Sequence, residues 1–154
     1  MANLFEDTIL WDFFTKAKKL SSGRLFLSVM SQTHVKNLII DLNLEQMRVD
    51  FMDSEGRKLN EIGGDYSPYT VEVGQKRNAE SVDLYDTGYF HNSFKVVKVT
   101  QTQLFIDSDP ITSDGTNLEE RYGDKLEGLT FENLEELRVY ILPLFIEEIK
   151  RQLA

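Results

Sequence analysis

Val82-Asp83-Leu84-Tyr85-Asp86-Thr87-Gly88-Tyr89-Phe90-His91-Asn92-Ser93-Phe94 admits two incompatible readings, and the choice between them decides the fold. In the first, Asp86-Thr87-Gly88 is a carboxylate turn of an all-β protein. It would face a second such turn, so that two carboxyls about 3 Å apart share one proton. In the second it is a structural turn that carries an extended segment, ending at Leu84 and Tyr85, into a short helix. Asp86 or Thr87 then caps the helix, Gly88 lets the backbone approach closely, and Phe90 and Phe94, four residues apart, drop into the core.

The surrounding residues favour the second reading. Shared-proton chemistry is that of the aspartic proteases, whose turn needs a small residue after the glycine because two copies pack across a dimer axis. Here the next residue is the bulky Tyr89. The apolar-Gly step that should follow the motif is instead found before it, at Glu61-Ile62-Gly63. Both ends of the chain also carry helical patterns, unlike that all-β fold, and a motif needs its context.

Downstream, Phe94–Thr100 and Gln103–Asp107 are rich in β-branched and aromatic residues and predict a hairpin turning around Thr100–Thr102. Asn117–Lys125 predicts a short helix. The final helix is strongly signed: Thr130 at the N-cap, Leu129 placed to staple onto Leu134, acids in the first turns, and Lys150 and Arg151 in the last. Its apolar stripe is Leu134, Leu137, Ile141, Leu144, Phe145, Ile149 and Leu153, and Pro143 predicts a kink near Val139–Tyr140.

Upstream, Asn3 caps a first helix with Leu4, Phe5, Ile9, Phe13, Ala17 and Leu20 on one stripe, ended by Ser21-Ser22-Gly23. Trp11 and Phe14 lie off that stripe and are candidates for a subunit interface, as are Tyr66 and Tyr69. A second helix is predicted from Ser31 or Thr33 with a break at Asn43, which would cap a further turn through Gln46. Residues 50–80 carry turn chemistry at Asp53-Ser54-Glu55-Gly56 and Gly63-Gly64-Asp65-Tyr66-Ser67-Pro68. They read as an extended loop or arm, with a short helix at Pro68–Gly74. The expected architecture over 1–154 is a single α+β domain: a small antiparallel β-sheet flanked by N-terminal helices and a long C-terminal helix.

With 154 residues, of which 41% are hydrophobic, the chain suits one core. No run of about 18 apolar residues suggests a membrane span, and acids stand near the N-terminus where a signal peptide carries bases. A soluble protein without membrane contact is expected. The absence of cysteine rules out disulfides and thiolate chemistry. Of the net charge of -9, residues 107–154 hold -7, with twelve acids and five bases. That balance opposes tight phosphate-backbone binding and reads first as a solvated face.

No cofactor or metal is expected. His34 and His91 lack ligand spacing, and Asp107–Asp114 lacks the order and terminal Glu of a Ca²⁺ loop. No phosphate-binding Gly-rich loop and no Gly-x-Ser-x-Gly elbow is present.

The order of features is more telling than any one of them. Asn43-Leu44-Glu45-Gln46-Met47 is followed by Asp53-Ser54-Glu55-Gly56, Tyr66-Ser67-Pro68-Tyr69-Thr70, Leu84 to Phe94, and Leu118-Glu119-Glu120-Arg121-Tyr122-Gly123 before the last helix. Over roughly residues 31–154 this series resembles the tail-completion, or virion-morphogenesis, family of tailed bacteriophages, in the form found in Bacteroidetes phages and prophages. The residues that carry it include Asp86, Thr87, Gly88, Phe90, Ser93, Tyr122 and Gly123. Phe90 stands where the family usually has Leu, and the Lys that often follows the Thr is displaced to Lys76 or Arg77. The resemblance implies a non-enzymatic subunit of a homo-oligomeric ring at the head-tail junction of the virion, assembled in the host cytoplasm. The ring would join portal, adaptor or tail-tube proteins, with DNA passing through its lumen without sequence-specific binding. The alternatives are a prophage adaptor or packaging accessory that binds a protein partner and, third, an aspartic protease.

Overall fold

The computed structural model describes residues 15–154, so Trp11, Phe14 and most of the expected first helix lie outside the described residues. The chain is α+β, with a two-stranded antiparallel sheet and a long C-terminal helix. Its elements are α1 (Ser22–Met30), α2 (Thr33–Arg48), α3 (Leu59–Gly63), α4 (Pro68–Val73), α5 (Tyr89–Ser93), β1 (Lys95–Val99), β2 (Leu104–Asp107), α6 (Leu118–Tyr122) and α7 (Phe131–Leu153).

The N-terminal region corrects the sequence reading twice. Ser21 does not merely end a helix; its hydroxyl accepts from the Arg24 amide and opens α1, which buries Leu25, Val29 and Met30. A serine serves equally as stop and start, and Ser22, Gly23 and Arg24 hid the apolar face that begins just after them. Nor does α2 break at Asn43. It runs unbroken to Arg48, with Asn43 and Gln46 buried within it, because their amides bond to another segment and not to their own backbone.

The hairpin forms as expected. Lys95 pairs with Asp107 and Val99 with Leu104, and a bulge at Val97 shifts the register. Thr100 builds the turn, its hydroxyl accepting from the amides of Thr102 and Gln103. Two apolar clusters share Ile106: one joins Met47, Leu59, Val82, Phe90, Phe94, Tyr122 and Leu126; the other joins Met30, Val35, Ile39, Leu42 and Leu137.

Residues 50–80, expected as an extended loop or arm, fold back on the domain. Met52 bridges Lys58, Leu59 is fully buried, and Asp53 accepts from the Glu55 and Arg57 amides while pairing with the Arg57 guanidinium. The Tyr66 amide donates to the Ala79 carbonyl, closing a lobe that contains α4.

Helix α7 is capped by Thr130 and continues across Pro143 as one helix. Its expected stripe is narrower than predicted. Leu137 is buried and Ile141 and Leu144 pack on the second cluster, but Leu134 is half exposed and so is no buried staple partner. Glu148 joins the buried face instead, clasped by Arg151 and Gln152. Those hydrogen bonds, Arg151's first, hold its carboxyl down at about 2.

Candidate functional site

The segment Val82–Phe94 is built as a turn held by polar groups that are largely withdrawn from solvent. Val82 and Leu84 fill the first cluster, and Leu84 does so with φ +54, a left-handed backbone that a branched residue adopts only when its surroundings impose it. Tyr66 supplies much of that constraint. Its hydroxyl donates to Asp83 Oδ1 at 2.9 Å and accepts from the amides of Leu84 at 2.9 Å and Asp83 at 3.2 Å. Lys76 Nζ reaches Asp83 Oδ1 at 2.8 Å and also donates to the Tyr85 carbonyl. These contacts latch the 66–79 lobe onto the turn.

The electrostatics follow from this geometry. Burial alone would raise the Asp83 carboxyl, but the hydrogen bonds from Lys76, the Tyr85 amide and Tyr66 outweigh it and lower the pKa. Tyr66 is pushed up by burial and then by the Asp83 charge. Arg48 lies 5.1 Å from the centre of the Tyr85 ring, and Lys76 lies over both Tyr66 and Tyr85.

His91 closes the arrangement. Its Nε2 sits 3.0 Å from the Asp83 carbonyl, while Nδ1 is buried with no hydrogen-bond partner among the described residues. Burial pushes the imidazole down to about 4, and the nearby Arg48 and Lys76 charges act in the same sense. It is a neutral hydrogen-bonding residue at neutral pH.

Asp86 and Thr87 are exposed. The expected cap is weak: Thr87 Oγ1 accepts from the Tyr89 amide at 3.4 Å, and the N-cap position of α5 falls on Gly88, which has no side chain to offer. Gly88 has the role the sequence assigned to it. Its φ is +83, and a Cβ there would lie 3.1 Å from the Tyr85 hydroxyl. Phe90 and Phe94 are buried edge to face with centroids 5.0 Å apart. Ser93 donates to the Phe90 carbonyl and accepts from the Asp109 amide at 2.8 Å, and Tyr89 donates to Asp109 Oδ2 at 2.9 Å, so α5 is pinned to the end of the hairpin.

The other motif residues are also structural. Tyr122 is buried with its ring against Gly63, where a Cβ would come within 2.3 Å of it, and Gly123 leaves α6 at φ +86. Of the proposed interface residues among those described, Tyr69 is exposed, but Tyr66 spends its hydroxyl inside the chain.

A second buried polar node was not read from the sequence. Asn43 donates to the Leu126 carbonyl at 2.9 Å and accepts from the Gly128 amide at 2.8 Å. Gln46 donates to the Gly128 carbonyl and accepts from the Thr130 amide and from Asn133. The available signal was position: both residues fall one or four places from Leu42 and Met47, on the helix's inward side.

Among the described residues no group of three or more His, Cys, Asp or Glu is placed to hold a metal ion, and no helix is long and apolar enough to cross a membrane. Two open grooves run along α2, one lined by Asp41, Leu44, Glu45, Arg48 and Val49. Compared with protein-family models, with curated proteins and with solved structures, the chain finds no match.

Proposed function

We propose that this chain is a structural subunit of a phage head-tail connector or tail-completion ring, joining portal or neck to tail with DNA passing through the lumen. The observation that carries the reading is the ordered series of motifs over residues 31–154, of which Leu84–Phe94 is the most distinctive step. Every residue of that step with a buried side chain serves packing or backbone hydrogen bonding: Leu84 and the Phe90–Phe94 pair fill the core, and His91 meets the Asp83 carbonyl. The partly buried carboxylate beside the motif, Asp83, is neutralised by Lys76. Asp86 itself is exposed, followed two residues on by a turn glycine and then by the bulky Tyr89, which does not suit a close twin across a dimer axis.

The reading carries with it a homo-oligomer in the virion and no catalytic residue. Electron microscopy of purified protein, and of particles if the gene lies in a phage genome, tests it: closed rings at the head-tail junction are expected. A protein absent from particles and recovered only with a host or phage partner would replace the ring by the adaptor reading. Wild-type proteolysis with an acid optimum, abolished by Asp86→Asn, would replace both by the enzyme.

A further inference from the structure

Among the described residues, the outward side of α7 is left apolar along its middle turns. Phe131, Val139, Leu142 and Ile146 are 73%, 72%, 55% and 46% exposed, and the last three recur at spacings of three and four on the side opposite Leu137 and Ile141. Scattered single apolar residues are ordinary on a surface, but a helical stripe of them that no other described residue covers marks a contact face. We propose that this face pairs with the same face of a second copy, antiparallel, about a twofold axis beside Leu142.

Charge selects both the occupant and the direction. The first turns of α7 expose Glu132, Glu135 and Glu136, and its last turns expose Glu147 beside Lys150 and Arg151, the latter paired with Glu148. Among the described residues, Glu132, Glu136 and Lys150 form no ion pair with one another or with any other described side chain. A parallel pair would set acids against acids. An antiparallel pair sets Glu132 and Glu136 along Lys150 of the partner subunit at both ends and opposes the helix dipoles.

The apolar register agrees with the charge register. Phe131–Leu153 is centred on Leu142, so an antiparallel pair overlapping along its full length, about 34 Å, sets Leu142 beside Leu142 of the partner subunit and Val139 beside Ile146 of the partner subunit. Pro143, exposed at the crossing, adds ring surface without a free N–H. One shift of the helix thus aligns apolar with apolar and the acid-rich end with the end that carries Lys150 and Arg151, which is self-complementarity of the kind a twofold contact requires. Such a contact closes at two copies, whereas a ring needs head-to-tail contacts, so this pairing is separate from the ring.

The chain has no cysteine, so Leu142→Cys introduces a single reporter thiol at the axis. In the full-length protein under mild oxidation, the Leu142→Cys chain is expected to cross-link to a covalent dimer, while a Phe105→Cys control on the exposed hairpin face forms no covalent dimer. Sedimentation velocity should show a concentration-dependent dimer that Lys150→Glu weakens about tenfold, each of two equivalent pairs being lost. Adding Glu136→Lys to Lys150→Glu should restore it, which a merely structural role for Lys150 would not allow.

A monomer at every concentration overturns the proposal. If the thiol introduced by Leu142→Cys is then shielded from thiol reagents, the face is covered by the chain's own residues; if that thiol is reactive, a different macromolecule is required. A dimer in which the Leu142→Cys chain fails to cross-link also overturns it. Rings without the cross-link would refute this contact and leave the ring; the cross-linked dimer without rings would do the reverse.

Discussion

Two polar nodes hold loops onto this domain, and they do so by different chemistry. At the node of Asn43, Gln46 and Asn133, neutral amides on α2 and α7 satisfy the backbone of residues 126–130. At the latch of Tyr66, Lys76, Asp83 and His91, charged and titratable groups hold the 66–79 lobe against the turn before α5. The amide node meets fixed dipoles with fixed dipoles and is indifferent to pH. The latch depends on one carboxylate staying ionised and one imidazole staying neutral, so acid should open it first.

Asn43→Ala tests the amide node and should have the largest effect. It leaves the Leu126 carbonyl and Gly128 amide buried without partners, at about 1–3 kcal/mol each. A loss of about 4 kcal/mol, seen as a lower melting temperature of equal size from pH 5 to pH 8, is expected; a pH-dependent loss would erase the contrast.

Asp83→Ala should cost somewhat less, about 3 kcal/mol, because it strands a Lys76 ammonium that is only 9% exposed. Removing both charges with Asp83→Asn and Lys76→Met should cost less than the single change, since no buried charge is left alone. Equal losses would show that the ion pair is not the element that matters. The lowered Asp83 pKa means its contribution is complete above the ordinary carboxylate range and is lost as pH falls through the depressed value.

The His91 contribution disappears earlier in an acid titration. Its folded pKa lies at about 4 against the ordinary 6.5, so the unfolded chain takes up more protons between those values and stability falls as pH drops through that window. The difference is on the order of 3 kcal/mol. His91→Phe should flatten melting temperature between pH 6.5 and 4 while the wild type declines; an unchanged slope would remove His91 from the latch.

Asp86→Asn should be nearly silent, within about 0.5 kcal/mol, because the side chain is exposed. A large effect there would reopen the carboxylate reading of the motif.

Much of the latch region was legible because local chemistry declares itself. Gly88 before an aromatic pair spaced by four, Thr130 ahead of acids, and the β-branched runs either side of Thr100 each act within a few residues. Lys76 was noticed only as a displaced residue, and its partner Asp83 not at all, since their pairing spans a loop whose closure depends on Tyr66 meeting residues 17 and 18 positions away. The amide node was misread for a related reason. An asparagine inside a helix usually bonds its own backbone, and only the arrival of residues 126–130, more than 80 positions later, gives Asn43 a better partner.

By itself the sequence determined the α+β class, the hairpin, the Thr130 cap of the final helix and the structural use of Gly88, because periodicity, capping and turn chemistry operate over one or two turns of chain. Only the tertiary structure decided that α2 would pass unbroken through Asn43, that Leu84 would accept a left-handed backbone, that Glu148 would be buried beside Arg151, and that no other described residue would cover the outward side of α7 at Val139, Leu142 and Ile146. Each depends on whether a distant segment supplies a hydrogen bond, a counter-charge or an apolar surface, and short-range patterns carry no record of that.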